Sequence, residues 1–317
     1  MARKIIIDTD PGVDDSMAIF FALASPELEL IGLTTIFGNV HTSLATVNAL
    51  RLLEIAGRPD IPVAKGADDP LAHPYKGPVP YVHGDDGQGN VELPPPAGRA
   101  LDMTAAEFII DRVMAHPGEV TLIPIGPLTN IALALRLEPR IAENVREVVL
   151  MGGNAFCPGN ASPAAEANIL NDPEAADVVF GAPWSVTMVG LDVTHRVNMT
   201  KSHLAEYGRI DNPLAQHIHR IVPHYVNFFE TYYDIDGIYV HDSSAVAYVI
   251  DPSLFRCVQA PIRVDTDGGI SRGKTWPSMS KRTLPPWEHR PPVNIPIEVD
   301  SARLTELELS RLRAFAG

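Results

Sequence analysis

Apolar runs rich in Ile, Val and Leu alternate along the chain with stretches of helical periodicity, the pattern of a mostly parallel sheet with helices on both faces. Strands are expected at Lys4–Asp8, Leu30–Ile36, Val120–Ile125, Val145–Met151 and Val186–Leu191. Their residues are apolar in succession instead of alternating, as strands covered on both faces require. Helices are expected near Asp14–Ala24, Thr42–Ala56, Thr104–His116, Asn130–Leu137 and Pro173–Phe180. A mostly helical stretch follows over Lys201–Tyr233, then a helix at Asp242–Ile250, strands at Cys257–Val264 and Val293–Val299, and a closing helix near Arg303–Phe315. The Pro- and Gly-rich segment Lys65–Ala100 reads as a long mobile loop, a length that is usually functional or disordered. Around Leu284–Pro292 prolines break regular structure without making a linker, so the expectation is an α/β fold with a single domain over residues 1–317.

Composition narrows the partners. The 317 residues carry a net charge of −14 with no block of Lys or Arg, which argues against nucleic acid as a partner. At 45% hydrophobic and 20% charged, the chain matches an ordinary globular protein. Apolar stretches such as Met17–Ala24 fall far short of the ~20 residues of a membrane span, so no membrane partner is expected. The start, Met-Ala-Arg-Lys-Ile-Ile-Ile-Asp, turns acidic after a short apolar run, unlike a signal peptide. Cys157 and Cys257 are the only cysteines and lie too far apart for a disulfide framework or a Cys-based zinc cluster. A cytoplasmic location is the expectation.

Polar and glycine residues cluster where the expected strands end: Asp8-Thr9-Asp10-Pro11-Gly12-Val13-Asp14-Asp15, Gly38-Asn39, Gly126-Pro127-Leu128-Thr129-Asn130, Gly152-Gly153-Asn154 and Asp192. In open α/β sheets such ends converge on one ligand crevice. Each cluster alone is equally a set of turn residues. The first is different, because Asp8, Asp10, Asp14 and Asp15 place four carboxylates in eight residues. Two of them, Asp14 and Asp15, suit a helix start, where the dipole favours negative charge by ~0.3–1 kcal/mol each. Asp8 and Asp10 share a face if the strand continues. Crowded carboxylates must take up protons, pair with cations or hold a metal, and a hard divalent cation is the economical answer. The spacing is not that of an EF-hand, and no glycine-rich phosphate loop is present.

The acidic octet resembles the N-terminal fingerprint of the inosine–uridine-preferring nucleoside hydrolase family. Thr34-Thr35-Ile36-Phe37-Gly38-Asn39-Val40, Ile125-Gly126-Pro127-Leu128-Thr129-Asn130 and Val149-Leu150-Met151-Gly152-Gly153 are similar to its later motifs. Asn160, Glu166, Asn168, Asp172-Pro173-Glu174-Ala175-Ala176 and His241-Asp242 follow in order. The resemblance implies a Rossmann-like hydrolase that holds calcium and cleaves the N-glycosidic bond of ribonucleosides, working as a homodimer or homotetramer. It implies Asp10, Asp15, Asp242 and the backbone carbonyl of Ile125 as Ca²⁺ ligands. Asp14, Asn39, Asn160, Glu166 and Asn168 would hold the ribose, with Met151 lining it. Asp10 would be the general base for water and His241 the acid for the departing base. The chain departs from the family pattern at Ile125, often Thr, at Ala167, often Phe, and over Tyr232–Val240.

The chemistry agrees with these residue types. Splitting a ribosyl C–N bond builds positive charge on the sugar, which carboxylates favour, and negative charge on the base, which a His can relieve. Amides such as Asn39 and Asn168 both donate to and accept from hydroxyls. Asp242 is also a candidate N-cap for the run Ala245–Ile250, with Ser243 as its stand-in. His83, within His-Gly-Asp-Asp-Gly, belongs to a substrate flap or to solvated surface. Tyr225, Phe228, Phe229, Tyr232 and Tyr239 offer stacking surfaces, and their spacing equally suits a helix core. A His before the last acid favours pyrimidine or mixed inosine/uridine substrates. The rival readings are a magnesium-dependent phosphatase with an aspartate nucleophile, which would need a Lys and a Ser or Thr at the later strand ends where Asn130 and Asn154 stand, and a non-catalytic calcium-dependent nucleoside-binding module.

Overall fold

Ile5, Ile6 and Ile7 show how the sheet is built. Ile5 and Ile7 enter one core with Phe20 and Phe21, whereas Ile6 enters a second with Phe108 and Leu122. Alternation along the strand therefore feeds two apolar layers, one on each face. The computed structural model describes residues 2–282 and 284–315, so Met1, Thr283, Ala316 and Gly317 of the expected 1–317 span lie outside the described residues. The strands are β1 (Arg3–Thr9), β2 (Leu28–Thr35), β3 (Val63–Lys65), β4 (Thr121–Pro124), β5 (Glu147–Met151), β6 (Val186–Val189), β7 (Asn198–Met199), β8 (Ile238–Tyr239), β9 (Phe255–Val264), β10 (Thr275–Pro277) and β11 (Pro292–Val299). Nine of them form one sheet in the order β10-β9-β11-β6-β5-β4-β1-β2-β3, and β7 pairs with β8 apart from it.

The sheet is parallel except at one margin, where β9 runs antiparallel to both β10 and β11. Going outwards from β1, the chain builds β2 and β3 on one side and then crosses back to lay β4 on the other. Strand order thus reverses between β1 and β4. The expected helices form at Val13–Leu23, Thr42–Ile55, Ala105–Ala115, Thr129–Leu137 and Pro173–Gly181. Thr104 starts the third of these through a capping box with Glu107. Lys201–Tyr233 divides into Lys201–Tyr207 and Pro213–Tyr233, because Asn212 caps a new start and Pro213 takes the first helical position. Asp242–Ile250 forms as expected, and the closing helix covers Ser301–Ala314.

Two expectations change. Val186–Leu191 stops at Val189, and Leu191–Thr194 becomes a short helix instead. The loop Lys65–Ala100 is largely irregular, but its middle is not surface: His83 and Gln88 are 5% and 0% exposed. Gln88 donates to the carbonyl of Gly12 at 3.2 Å, and Asn48 Nδ2 bridges the carbonyls of Pro11 (3.2 Å) and Asp86 (2.8 Å). Short β3 and β10 were not foreseen, since three residues carry too little pattern to read. Among the described residues no helix is long and apolar enough to cross a membrane.

One buried acid belongs to the core. Glu308 of the closing helix is fully buried and accepts from the Tyr207 hydroxyl at 2.9 Å. Burial pushes its carboxyl up to about 7, against the opposing pull of the Tyr207 hydroxyl. The folded chain then binds this proton more tightly than the unfolded chain, so stability falls as pH rises from the ordinary carboxylate range to about 7. Glu308→Gln is expected to raise unfolding free energy at pH 8 by on the order of 3 kcal/mol, with the gain vanishing near pH 4. Urea titrations at both pH values check this; a gain independent of pH would count against it.

Candidate active site

β1 ends at Thr9, and the chain turns through Asp10-Pro11-Gly12 into the helix Val13–Leu23. The turn opens into the crevice where strand order reverses, the usual ligand position in such sheets. Because the strand stops, Asp8 and Asp10 part company. Asp8 accepts from Thr34 Oγ1 at 2.6 Å and Asn130 Nδ2 at 2.8 Å, which ties β1 to β2 and to the helix after β4. Burial pushes its carboxyl up to about 7.

Asp10 Oδ2 accepts the backbone N–H of Asn39 at 2.6 Å, while Oδ1 is buried without a partner. A methyl group on Gly126 would stand 2.6 Å from Oδ1, and one on Gly38 would overlap Oδ2. Glycine at both strand ends is thus what lets the backbone close around Asp10. Asp15 is held by four donors: Thr9 Oγ1 (2.5 Å) and Asp10 N (3.2 Å) on Oδ1, Gly12 N (2.9 Å) and Asn39 Nδ2 (2.9 Å) on Oδ2. Asp14 accepts from the Tyr225 hydroxyl at 2.9 Å, and its buried Oδ1 has no hydrogen bond and faces His83 Nδ1 at 3.8 Å. Asp242 is the first residue of its helix; His241 occupies the cap position and no side chain caps it. Neither capping alternative, Asp242 or Ser243, is therefore realised. The Ser243 hydroxyl is buried without a partner.

Carboxylate oxygens of Asp14, Asp15 and Asp242 lie within 4.8 Å of one another. Burial, followed by repulsion from Asp14, Asp15, Asp10 and Glu166, drives Asp242 well above the carboxylate range. Burial and then Asp15 do the same to Asp10, while Asp14 and Asp15 rise to about 6, burial again being the main cause. Among the described residues no Lys or Arg lines the cavity to offset them. Convergent carboxylates with two orphaned buried oxygens and no basic partner fit a divalent cation with oxygen ligands.

The cavity above the acids is lined by Asp14, Asn39, His83, Ile125, Met151, Asn160, Glu166, Asn168, His241 and Asp242. Every expected site residue is therefore on this wall except Asp10 and Asp15, which lie buried in hydrogen-bond contact with Asn39. Glu166 caps the short helix Ala167–Asn171 and accepts from Gly153 N at 2.9 Å, joining the β5 end to the next segment. Asn168 donates to the Ile125 carbonyl at 2.9 Å and to that of Met151 at 3.2 Å, clamping the ends of β4 and β5. Asn160 accepts from Ala167 N at 3.0 Å and is otherwise exposed. His83 Nδ1 accepts from Val13 N at 3.2 Å, and its ring stacks on Tyr225 at 5.2 Å, so the solvated-surface alternative fails. Burial lowers it to about 4, opposed by Asp15.

His241 is buried, with Nδ1 2.8 Å from Thr194 Oγ1, and burial followed by His195 and His83 holds it well below the usual His range. Tyr225, Phe228 and Phe229 also reach the cavity, so their helical spacing serves core and wall together. Tyr232 is 65% exposed, and Tyr239 packs on His195 and His241 instead. Sequence reasoning missed Val79, Tyr81, Val82 and Tyr233. Only the position of Tyr81 two residues before His83 could have pointed to that wall.

The whole chain has relatives. Residues 5–306 match the family model described as inosine-uridine preferring nucleoside hydrolase. A probable uridine nucleosidase of Arabidopsis thaliana is 44% identical over 98% of this chain and 97% of its own. An inosine-uridine preferring nucleoside hydrolase of Leishmania major is 44% identical over 87% of each chain. A solved plant nucleoside hydrolase superposes with a TM-score of 0.96 at 41% identity, covering 99% of this chain and all of that one.

Metal-free protein titrated with Ca²⁺ is expected to gain melting temperature, since a ligand at about 100 times its Kd adds about 2.7 kcal/mol. Asp242→Asn should raise the melting temperature of the metal-free protein by relieving repulsion, and should abolish the calcium response. A calcium response that survives this change would remove Asp242 from the metal site.

Proposed function

Since this chain belongs to the inosine-uridine preferring nucleoside hydrolase family, and so hydrolyses the N-glycosidic bond of ribonucleosides to base and ribose, we propose a division of labour among its residues. The observation that carries it is the convergence of buried carboxylates and amides beneath an aromatic-walled cavity at the sheet's switch point. Asp10, Asp15, Asp242 and the Ile125 carbonyl hold Ca²⁺, and the proximity of Asp14 to Asp15 and Asp242 supports it as a further neighbour of the ion. Bound there, calcium would supply a hard Lewis acid for the ribose hydroxyls and would make nearby water more acidic.

The remaining work falls to the chain. Asn39, Asn160 and Asn168 offer amides, and Asp14 and Glu166 offer carboxylates, to the sugar hydroxyls, with Met151 beneath and His83 beside them. As the C–N bond breaks, its electron pair stays on the base nitrogen and positive charge spreads over the ribose ring, where the surrounding carboxylates favour it. Water oxygen bonds to the anomeric carbon, and its proton passes to Asp10, whose Oδ1 has no competing partner. His241 enters the step as the imidazolium, having taken its second proton from solvent against the pull of burial, and gives the Nε2 proton to the departing base while Nδ1–H remains on Thr194. Pyrimidine or mixed inosine/uridine substrates are the proposed preference. It is supported by a wall of Tyr225, Phe228, Phe229 and Tyr233, which stacks bases without reading their edges closely. The free Cys157 and Cys257 support a reducing, cytoplasmic setting, and the homodimer or homotetramer and the single domain over 1–317 complete the proposal.

With calcium present, uridine and inosine are expected to yield free base and ribose, read by chromatography. Asp10→Ala should lower turnover by about 100- to 10,000-fold with circular dichroism unchanged. A loss of only a few-fold would remove it as the base. His241→Ala should impair uridine far more than a nitrophenyl riboside, whose phenolate leaves without a proton. Equal losses on both substrates would assign His241 a structural role.

A further inference from the structure

Behind the cavity wall, a buried hydroxyl meets the inner nitrogen of His241. Thr194 is 0% exposed and ends the short helix after β6, and among the described residues its Oγ1 has a single hydrogen-bond partner, His241 Nδ1 at 2.8 Å. Two anchors keep these distant positions together. Thr194 N–H donates to Gly190 O at 3.1 Å, which fixes the helix to the end of β6. β7, which begins four residues after Thr194, and β8, which ends two residues before His241, pair Asn198 with Tyr239 and Met199 with Ile238, and Val240 N–H extends that ladder to Val197 O at 2.9 Å. The small sheet thus sets the register of Thr194 against His241.

We propose that Thr194 is the positioning residue for His241, turning its Nε2 edge towards the leaving base. This deepens the reading of His241 given above and rests on it. The ring otherwise touches groups that steer it weakly: His195 at 5.5 Å, Phe229 at 6.2 Å and Tyr239 at 6.2 Å between centroids. Such edge and tilted aromatic contacts leave rotation about the ring axis loosely defined, whereas one hydrogen bond at Nδ1 defines which nitrogen faces the cavity. A hydroxyl suits the task. It accepts from the protonated Nδ1 both before and after the Nε2 proton leaves, so the ring stays in place while that proton is gained and lost. A carboxylate there would only accept and would favour the charged ring throughout.

The test uses Thr194→Val, which keeps the shape and removes the hydroxyl, and Thr194→Ser, which restores it, with His241→Ala assayed alongside. On uridine, Thr194→Val is expected to lower kcat by about 10- to 100-fold with KM nearly unchanged. On the nitrophenyl riboside it should leave kcat within about 2-fold, and Thr194→Ser should recover most of the uridine rate. Equal losses on both substrates, or a raised KM with kcat unchanged, would overturn the proposal. If His241→Ala discriminates between the substrates and Thr194→Val does not, only the role of Thr194 fails. If His241→Ala itself does not discriminate, the acid reading fails first and the role of Thr194 with it. Should Thr194→Val not fold, Thr194→Ser decides by comparison with Thr194→Ala: no difference between them on uridine overturns the proposal.

Discussion

Carboxylates repel one another most strongly where water is excluded, and this protein gathers Asp10, Asp14, Asp15 and Asp242 in such a place. Much of the surrounding architecture answers that repulsion. Thr9, the amides of Asp10 and Gly12, and Asn39 surround Asp15; the Asn39 backbone holds Asp10; Tyr225 holds Asp14. These donors come from β1 and the turn after it, the turn after β2, and the long helix Pro213–Tyr233. The charge cluster therefore draws separate elements together, and among the described residues no Lys or Arg on the cavity wall neutralises it. The residual strain is the affinity the site keeps for an oxygen-seeking cation.

How much of this was legible follows from the distance over which each feature is encoded. The five early strands and their helices are continuous apolar segments with local start signals, so pattern alone finds them. The acidic octet is equally local, and eight residues suffice to announce it. The convergence of Asn39, Glu166, Asn168 and Asp242 on it depends on strand order, which no local pattern contains; the family resemblance supplied that. Asp8 illustrates the limit within the octet itself. Its spacing from Asp10 suggested a shared face, but the strand ends one residue too early, and Asp8 serves Thr34 and Asn130 instead.

The aromatic wall was legible only halfway. Tyr225, Phe228 and Phe229 sit at helical spacing, which signals burial without saying against what. Their helix packs its apolar face on the core, and its upper edge borders the cavity, so the same stripe does both. Thr194 lay wholly outside sequence reach, because its partner is far along the chain and the small β7–β8 ladder that joins them is two residues wide.

The loop between β3 and the helix Ala105–Ala115 has a divided character with a practical consequence. The part up to Gln88 carries His83 and Gln88 into the interior and is stitched to the acidic turn, whereas the part after Asn90 runs over the outside, held by the side chains of Arg51 and Glu54 until Leu101 N–H returns it to Val63 O. An engineer grafting a tag or splicing in foreign sequence has a tolerant seam there, far from the chemistry. The same graft a few residues earlier would pry open the turn that gathers the acids.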